Sequence, residues 1–331
     1  MAGMNTVGTG ATAASNVGTN LVRSELWSSE LKELLRDEMM AQRYVRMLEG
    51  FPDGDTFNIP QIGAIVTNDY TDDTQVTYDP LDTANFTFTV DKYLSSASYI
   101  TKKAAQDSFY SAQLEARFVP EQARAILEHF ETTTFAAPEV GVSANSAEAQ
   151  NGIAHRISGG NGGRIELADF AYARYALKKA SVPDRGLVAI VDPSVEFQLN
   201  TLSNIVGVAN NPMFEGIVRD GIATGMRFVA NVYGFDVYTS NFLKSTVSDS
   251  ALLERDGSTA NAFNVNNGVA NYFMSTEGDA NPFVGAWRQQ PEVDYEYNKD
   301  FQRHEYVTTA RYGVKKYRSE GIVTVVTNPD V

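Results

Sequence analysis

Three histidines, His129, His155 and His304, are the residues best suited to metal or acid–base chemistry, and they lie far apart in the 331-residue chain. None has a second His at ligand spacing. The sequence also lacks cysteine, which excludes thiolate zinc sites, iron–sulfur clusters, disulfide scaffolds and cysteine nucleophiles. The histidines therefore read as surface or interface residues. No Gly-x-Ser-x-Gly elbow occurs. The run Ser158-Gly159-Gly160-Asn161-Gly162-Gly163 is the one candidate phosphate cradle, but it lacks the Gly-Lys-Ser/Thr ending and reads as a flexible connector. Carboxylates are abundant, yet none sits in the Asp-x-Asp-x-Asp-Gly spacing of a calcium loop. The expectation is a chain without catalytic residues, metal or cofactor.

Interaction chemistry is better supported. Lys and Arg total 27 against 41 Asp and Glu, a net charge of −14. That excess argues against a dedicated nucleic-acid binder, which needs a basic face to displace counterions from phosphate. The charge is also unevenly placed. From Met47 to Asp91 there is no Lys, Arg or His but nine acids, among them Asp55, Asp69, Asp72, Asp73, Asp79 and Asp82. Residues 299–318 reverse the sign, with Lys299, Arg303, Arg311, Lys315, Lys316 and Arg318 against Asp300 and Glu305.

Those charges must be carried by elements. Residues 1–22 are uncharged and rich in Gly, Thr, Ala and Asn, too polar to bury a core alone. Ser24 is a good N-cap for a helix whose apolar positions run from Trp27 through Leu31, Leu34, Leu35, Met39, Met40, Tyr44, Met47 and Leu48, closed by Gly50 and Pro52. Residues 51–100 read as a long hairpin-like excursion, with Phe57/Ile59 and Phe86/Phe88/Val90 alternating around turn-rich stretches. A two-stranded ribbon is only marginally stable in water, so this one needs another surface. A helix begins near Thr101, and Pro120 is expected to kink or restart it.

Residues 164–243 look like a compact α/β unit, with a helix around Leu167–Leu177, a buried strand Leu187–Val191, a helix opened by Asp192-Pro193, and a strand at Phe235–Tyr238. Residues 244–282 look loop-rich. Val293, Tyr295 and Tyr297 alternate with acids, and strands at His304–Val314 and Gly321–Thr327 complete an expected antiparallel meander. No apolar run approaches the roughly 20 residues of a membrane span, and the N-terminus lacks the basic start and apolar stretch of a signal peptide, so the expectation is a cytoplasmic product without a membrane partner.

Several motifs resemble one family in order. Gly54-Asp55-Thr56-Phe57-Asn58-Ile59-Pro60-Gln61-Ile62-Gly63, Tyr70, and Phe86-Thr87-Phe88-Thr89-Val90-Asp91-Lys92 are similar to the extended loop of tailed-phage major capsid proteins. Asp184–Pro193 and Gly234–Asn241 resemble that family's capsomer-centre domain, and Tyr312–Glu320 its last sheet.

The resemblance implies an α+β chain of the Hong Kong 97-type capsid fold. Its parts would be an N-terminal arm (1–50), an extended β-hairpin loop (51–100), a peripheral domain with spine helix (101–163), an axial α/β domain (164–243), connecting loops (244–282) and the peripheral C-terminal sheet (283–331). It further implies hexamers and pentamers of an icosahedral head around double-stranded DNA, scaffolding and portal partners, a possible decoration protein, and a virion location. Some members join subunits through a Lys–Asn isopeptide bond. No lysine lies between Met47 and Asp91, so a donor lysine is absent from that part of the loop and assembly is expected to be non-covalent. The expected inter-subunit contact sets Asp55, Asp69, Asp72, Asp73, Asp79 and Asp82 of one copy against Arg303, Arg311, Lys315, Lys316 and Arg318 of a neighbour, with Trp27 of the arm joining it. An encapsulin-like nanocompartment shares the fold as an alternative. An acidic carboxylate-dependent hydrolase is the alternative from another class.

Overall fold

The computed structural model describes residues 39–49, 54, 56–63, 67–76, 78, 80, 83–107, 111–201, 231–245, 247–249, 252–257 and 265–329. The strands are β1 (Arg46–Met47), β2 (Thr56–Ile62), β3 (Thr83–Thr89), β4 (Lys92–Thr101), β5 (Arg156–Ser158), β6 (Leu187–Val191), β7 (Asn231–Val232), β8 (Phe235–Thr239), β9 (Val247–Asp249), β10 (Val265–Ser275), β11 (Phe283–Asn298), β12 (Arg303–Lys316) and β13 (Ile322–Thr327). They make three sheets: an axial sheet β5-β13-β10-β6-β8-β7 with β9 on β10, a spine sheet β1-β11-β12-β4, and a ribbon β2-β3.

The central strands of the axial sheet, β13, β10 and β6, are buried on both faces. Every residue of β6 and β13 is buried, as expected for strands read as continuous apolar runs. Phe273 of β10 stands edge-on to Phe170 at 4.9 Å and to Phe235 at 5.3 Å. The helix Leu167–Lys179 covers this face, started by a capping box of Glu166 and Asp169. The helix Pro193–Thr201 follows β6, with the Asp192 carboxylate accepting from Ser194 N at 2.9 Å.

Two expectations fail here. Residues 244–282 are not mainly loops, because β10 is an 11-residue strand bonded to both β6 and β13. Its Asn266-Asn267-Gly268 start masks a stretch, Val269–Met274, that is buried without alternation. Nor does β13 complete a meander with β12. It pairs with β10 and, in parallel, with β5. A strand apolar on both faces needs both faces covered, which the spine sheet does not offer.

The spine sheet is a hairpin of β11 and β12 flanked by β4. Tyr306, Thr308, Ala310 and Tyr312 alternate inward along β12 and are buried. They face the spine helix Ser111–Ala136, whose Gln122 accepts from the Thr308 hydroxyl at 2.9 Å and donates to Ser98 at 2.6 Å. Phe130 of the same helix stacks on Trp287 at 4.9 Å. This helix runs through Pro120 without the expected break. Proline removes one helical hydrogen bond, its ring is exposed here, and buried Gln122, Ile126 and Phe130 anchor the helix after it. The strand Lys92–Thr101, assigned from sequence to the hairpin excursion, instead lies beside β12 along its whole length.

The arm helix expected to run to Leu48 ends at Tyr44, and β1 follows, parallel to β11. Buried Glu131 accepts from Met40 N at 2.9 Å and Ala41 N at 2.8 Å, and Asn281 donates to Tyr44 O. Gly285 leaves room beside Val45, since a Cβ there would come within 2.9 Å of it. These anchors select extended backbone where periodicity predicted helix. The earlier part of that helix, with Trp27, lies outside the described residues.

Candidate assembly surface

The ribbon has a buried root and an exposed end. Phe57 opposes Phe88 and Ile59 opposes Phe86, giving one apolar face. Phe88 is fully buried and packs with Val90, Val284 and Ala286. Gly313 of β12 makes this approach possible, because a Cβ there would meet Thr89 O at 2.6 Å and Val90 Cα at 3.0 Å. Lys315 donates to Thr87 O at 3.0 Å with its ammonium 5.0 Å from the Phe86 ring. Phe86 meets Tyr317 edge-on at 4.9 Å. The sequence reading missed this root; a glycine inside a strand, here Gly313, is the signal that a backbone passes close by.

Beyond the root, every residue from 67 to 76 is exposed. Asp69, Asp72 and Asp73 are here, and Asp73 sits at a left-handed φ of 61° with its amide donating to the Asp72 carboxylate at 3.1 Å. Tyr70, Val76 and Tyr78 are 63%, 54% and 84% exposed, a concentration of apolar surface on a thin element. Asp55, Asp79 and Asp82 lie outside the described residues.

The expected basic partner is divided by the two-residue strand period. Lys316 faces the helix side and is held by Glu148 at 3.2 Å and Pro138 O at 3.3 Å. Lys315 serves the root of its own ribbon. Arg303 pairs with Glu305 at 2.5 Å and lies over Tyr99 and Phe301. Arg311 lies over Tyr93 and Arg318 over Tyr317. The pairing register also sets Glu296 beside Glu305 and Asp294 beside Val307. The basic excess counted along residues 299–318 is therefore diluted by the acids of β11. No ribbon acid meets these cations among the described residues.

The residues considered for chemistry are dispersed. His129 Nδ1 is 2.6 Å from Tyr312 OH. His304 stacks on Tyr295. His155 is buried, with Nδ1 3.1 Å from Ile153 O and Nε2 without a partner. Burial, its largest influence, pushes the imidazole below its ordinary pKa. It neighbours two ion pairs, Arg156–Glu139 at 3.0 Å, both side chains buried, and Lys316–Glu148. Among the described residues no group of His, Asp and Glu could hold a metal, and no helix is long and apolar enough to cross a membrane.

The glycine run is a correction. Gly160–Gly163 forms one helical turn rather than a flexible connector. Its Gly160 amide faces the Asp169 carboxylate at 3.4 Å, and a Cβ at Gly160 would meet the Glu166 carboxyl at 2.6 Å. Both carboxylates are in turn paired with Arg255, at 2.8 Å and 3.0 Å, so the turn is tied into its own chain.

The sequence profile of a family described as phage capsid protein matches residues 83–325, which is most of the chain and all of the spine sheet's long strands. The chain belongs to the phage capsid protein family. No curated protein matches it by sequence. Solved structures do. A chain from Mycobacterium phage Che8 is 16% identical with a TM-score of 0.65, covering 92% of this chain and 97% of its own. The capsid of cyanophage P-SCSP1u is 15% identical with a TM-score of 0.68, covering 97% of both. The capsid of a native GTA particle is 11% identical with a TM-score of 0.64, covering 96% and 99%. At these identities the likeness is one of fold, the Hong Kong 97-type fold. This capsid protein is thus a structural component whose copies build the shell of a virion.

Proposed function

We propose that copies of this capsid protein form the hexamers and pentamers of an icosahedral head around double-stranded DNA, each ribbon resting on a neighbouring copy without a covalent link. The observation that carries this is the ribbon itself, with Phe88 at 0% exposure at one end and an entirely exposed stretch, 67–76, at the other. Apolar burial of Tyr70, Val76 and Tyr78 would supply affinity, while Asp69, Asp72 and Asp73 would set register. Arg311 and Arg318 are the landing cations this reading favours, since among the described residues they meet aromatic rings rather than carboxylates. Arg303, Lys315 and Lys316 contribute less because each already has a partner in its own chain. The role is structural rather than catalytic. By family resemblance, assembly takes place in the host cytoplasm with scaffolding and portal proteins, and a decoration protein can be added outside. The net charge of −14 suits a wall that does not trap DNA.

Negative-stain imaging of the purified chain, beside a variant with 67–76 replaced by a short Gly-Ser turn, tests this. Shells from the first and none from the second are expected, with unchanged melting. Shells from the tipless variant would refute the ribbon's role. Reversal of Arg311 and Arg318 to Glu should weaken shells, and Asp72→Lys with Asp73→Lys should partly restore them. A ladder of covalent oligomers on a denaturing gel would overturn non-covalent assembly. Protein cargo in place of nuclease-protected DNA would identify an encapsulin-like compartment.

A further inference from the structure

The two edges of the spine sheet differ in kind. The β11 edge is guarded, with β1 covering Val284 and Gly285 and Pro291, Glu292, Asp294, Glu296 and two register shifts following. Proline, charge and bulges are the devices that stop strand-to-strand association. The β4 edge carries charge only at its first residue, Lys92, and has no proline and no register shift against β12. Tyr93–Thr101 contains no charge, proline or glycine over nine residues. β4 pairs with β12 on one side, and among the described residues its other side carries no strand and no backbone hydrogen bond. A long uncharged edge with unbonded amides and carbonyls is a template for another strand.

The sequence of β4 points to its occupant. The stretch Tyr93-Leu94-Ser95-Ser96-Ala97-Ser98-Tyr99 is symmetric about Ser96 in its outer tyrosines and in the small size of Ser95 and Ala97, while Leu94 stands against Ser98. Its exposed residues are Tyr93, Ser95, Ala97 and Tyr99, so they form a Tyr-Ser-Ala-Tyr series on one face. We propose that β4 pairs antiparallel with β4 of a second copy, centred on Ser96, joining two spine sheets into one. In that register Tyr93 lies opposite the partner copy's Tyr99, and Ser95 opposite its Ala97, twice over. The small central residues admit the outer tyrosines, whose rings already lie beside Arg311 and Arg303 of their own copy. The contact is isologous and requires a twofold axis. Within the shell this inference rests on, it falls between capsomers rather than around a capsomer ring.

Because the native chain has no cysteine, engineered pairs report register cleanly. Shells of a chain carrying both Ser95→Cys and Ala97→Cys, oxidised and run on a non-reducing gel, should show most chains as dimers, with the thiol introduced at position 95 of one copy bonded to that at position 97 of the other. Either single variant should give none, since identical residues then sit diagonally at about 7–8 Å, outside the roughly 4.4–6.8 Å reach of a disulfide. Hydrogen exchange on the native chain is the second measurement. The β4 amides that point away from β12 should be protected in shells and exchange freely in unassembled chain. Assembled shells without dimers, or with β4 amides still exchanging, overturn the pairing; if the double variant does not assemble, the exchange result decides. A native chain that stays monomeric and builds no shell overturns the shell reading instead. Dimers of the double variant in that solution would still support the β4 contact.

Discussion

In the axial sheet every residue of β6 and β13 is buried, whereas along β4 in the spine sheet every second residue is exposed. The axial strands β6 and β13 are uncharged runs dominated by Val and Ile, whereas the spine strands β11 and β12 mix apolar and aromatic residues with charged ones. The two sheets also differ in what covers them. Helices and strands of the same chain close the axial core around Phe170, Phe235 and Phe273. The spine sheet has its helix on one face only, leaving Tyr93, Tyr99 and Arg311 on the other. The first sheet is a finished core; the second, among the described residues, is open on one face. Stability should therefore reside in the axial sheet and assembly in the spine sheet and its ribbon.

The sharpest contrast is between two aromatics. Phe273→Ala should cost about 3–5 kcal/mol, the range for truncating a fully buried Phe, in denaturant unfolding of the unassembled chain. Tyr99→Ala, 59% exposed, should change the same measurement by less than about 0.5 kcal/mol yet reduce assembly. Equal costs would erase the distinction between core and open face.

Gly313→Val tests the seam between sheet and ribbon. Its side chain would press on the Thr89 carbonyl and Val90 backbone, an overpacking cost of about 1–3 kcal/mol. The ribbon root should loosen while the axial core stays intact. Hydrogen exchange would show faster exchange confined to β3 and its contacts, and uniform acceleration would contradict the assignment.

The smallest effect is at the buried ion pairs beside His155. Burial beside Glu139, Glu148, Arg156 and Lys316 lowers the pKa of that imidazole, while the Ile153 carbonyl and the Glu320 carboxylate act against it. The ring's folded pKa is depressed, so the unfolded chain binds the proton more readily below the ordinary value of 6.5. Stability from the neutral ring is present above that value and lost as pH falls below it. Between pH 7.5 and 5.5 the native chain should lose more stability than His155→Gln in parallel denaturant unfolding. Parallel melting curves for the two across that range would remove His155 from this account.

Much of the axial unit was legible from local signals. Asp192-Pro193 started a helix as its capping chemistry requires, and the apolar run Leu187–Val191 became a buried strand. The failures share a cause. Met47 and Leu48 fitted a helical stripe, but Glu131, 90 residues away, captures the Met40 and Ala41 amides, and β11 offers a sheet edge. Gly321–Thr327 was legible as a strand, yet its place in the axial sheet depends on partners at Arg156 and Val269. The basic segment was counted correctly along the chain and then divided between two faces by strand alternation, a consequence visible only once Lys316 meets Glu148.

The uneven charge, the absence of thiol chemistry, the thin acidic hairpin and the ordered motifs of a shell protein are all written in the chain of residues. Each is a property of neighbouring residues or of composition. Folding in three dimensions settled which strands share a sheet, which lysine is committed to its own chain and which edge is left unguarded. Pairing partners lie tens to hundreds of residues apart, and their choice is made by burial and backbone hydrogen bonding at a distance, which no local pattern encodes.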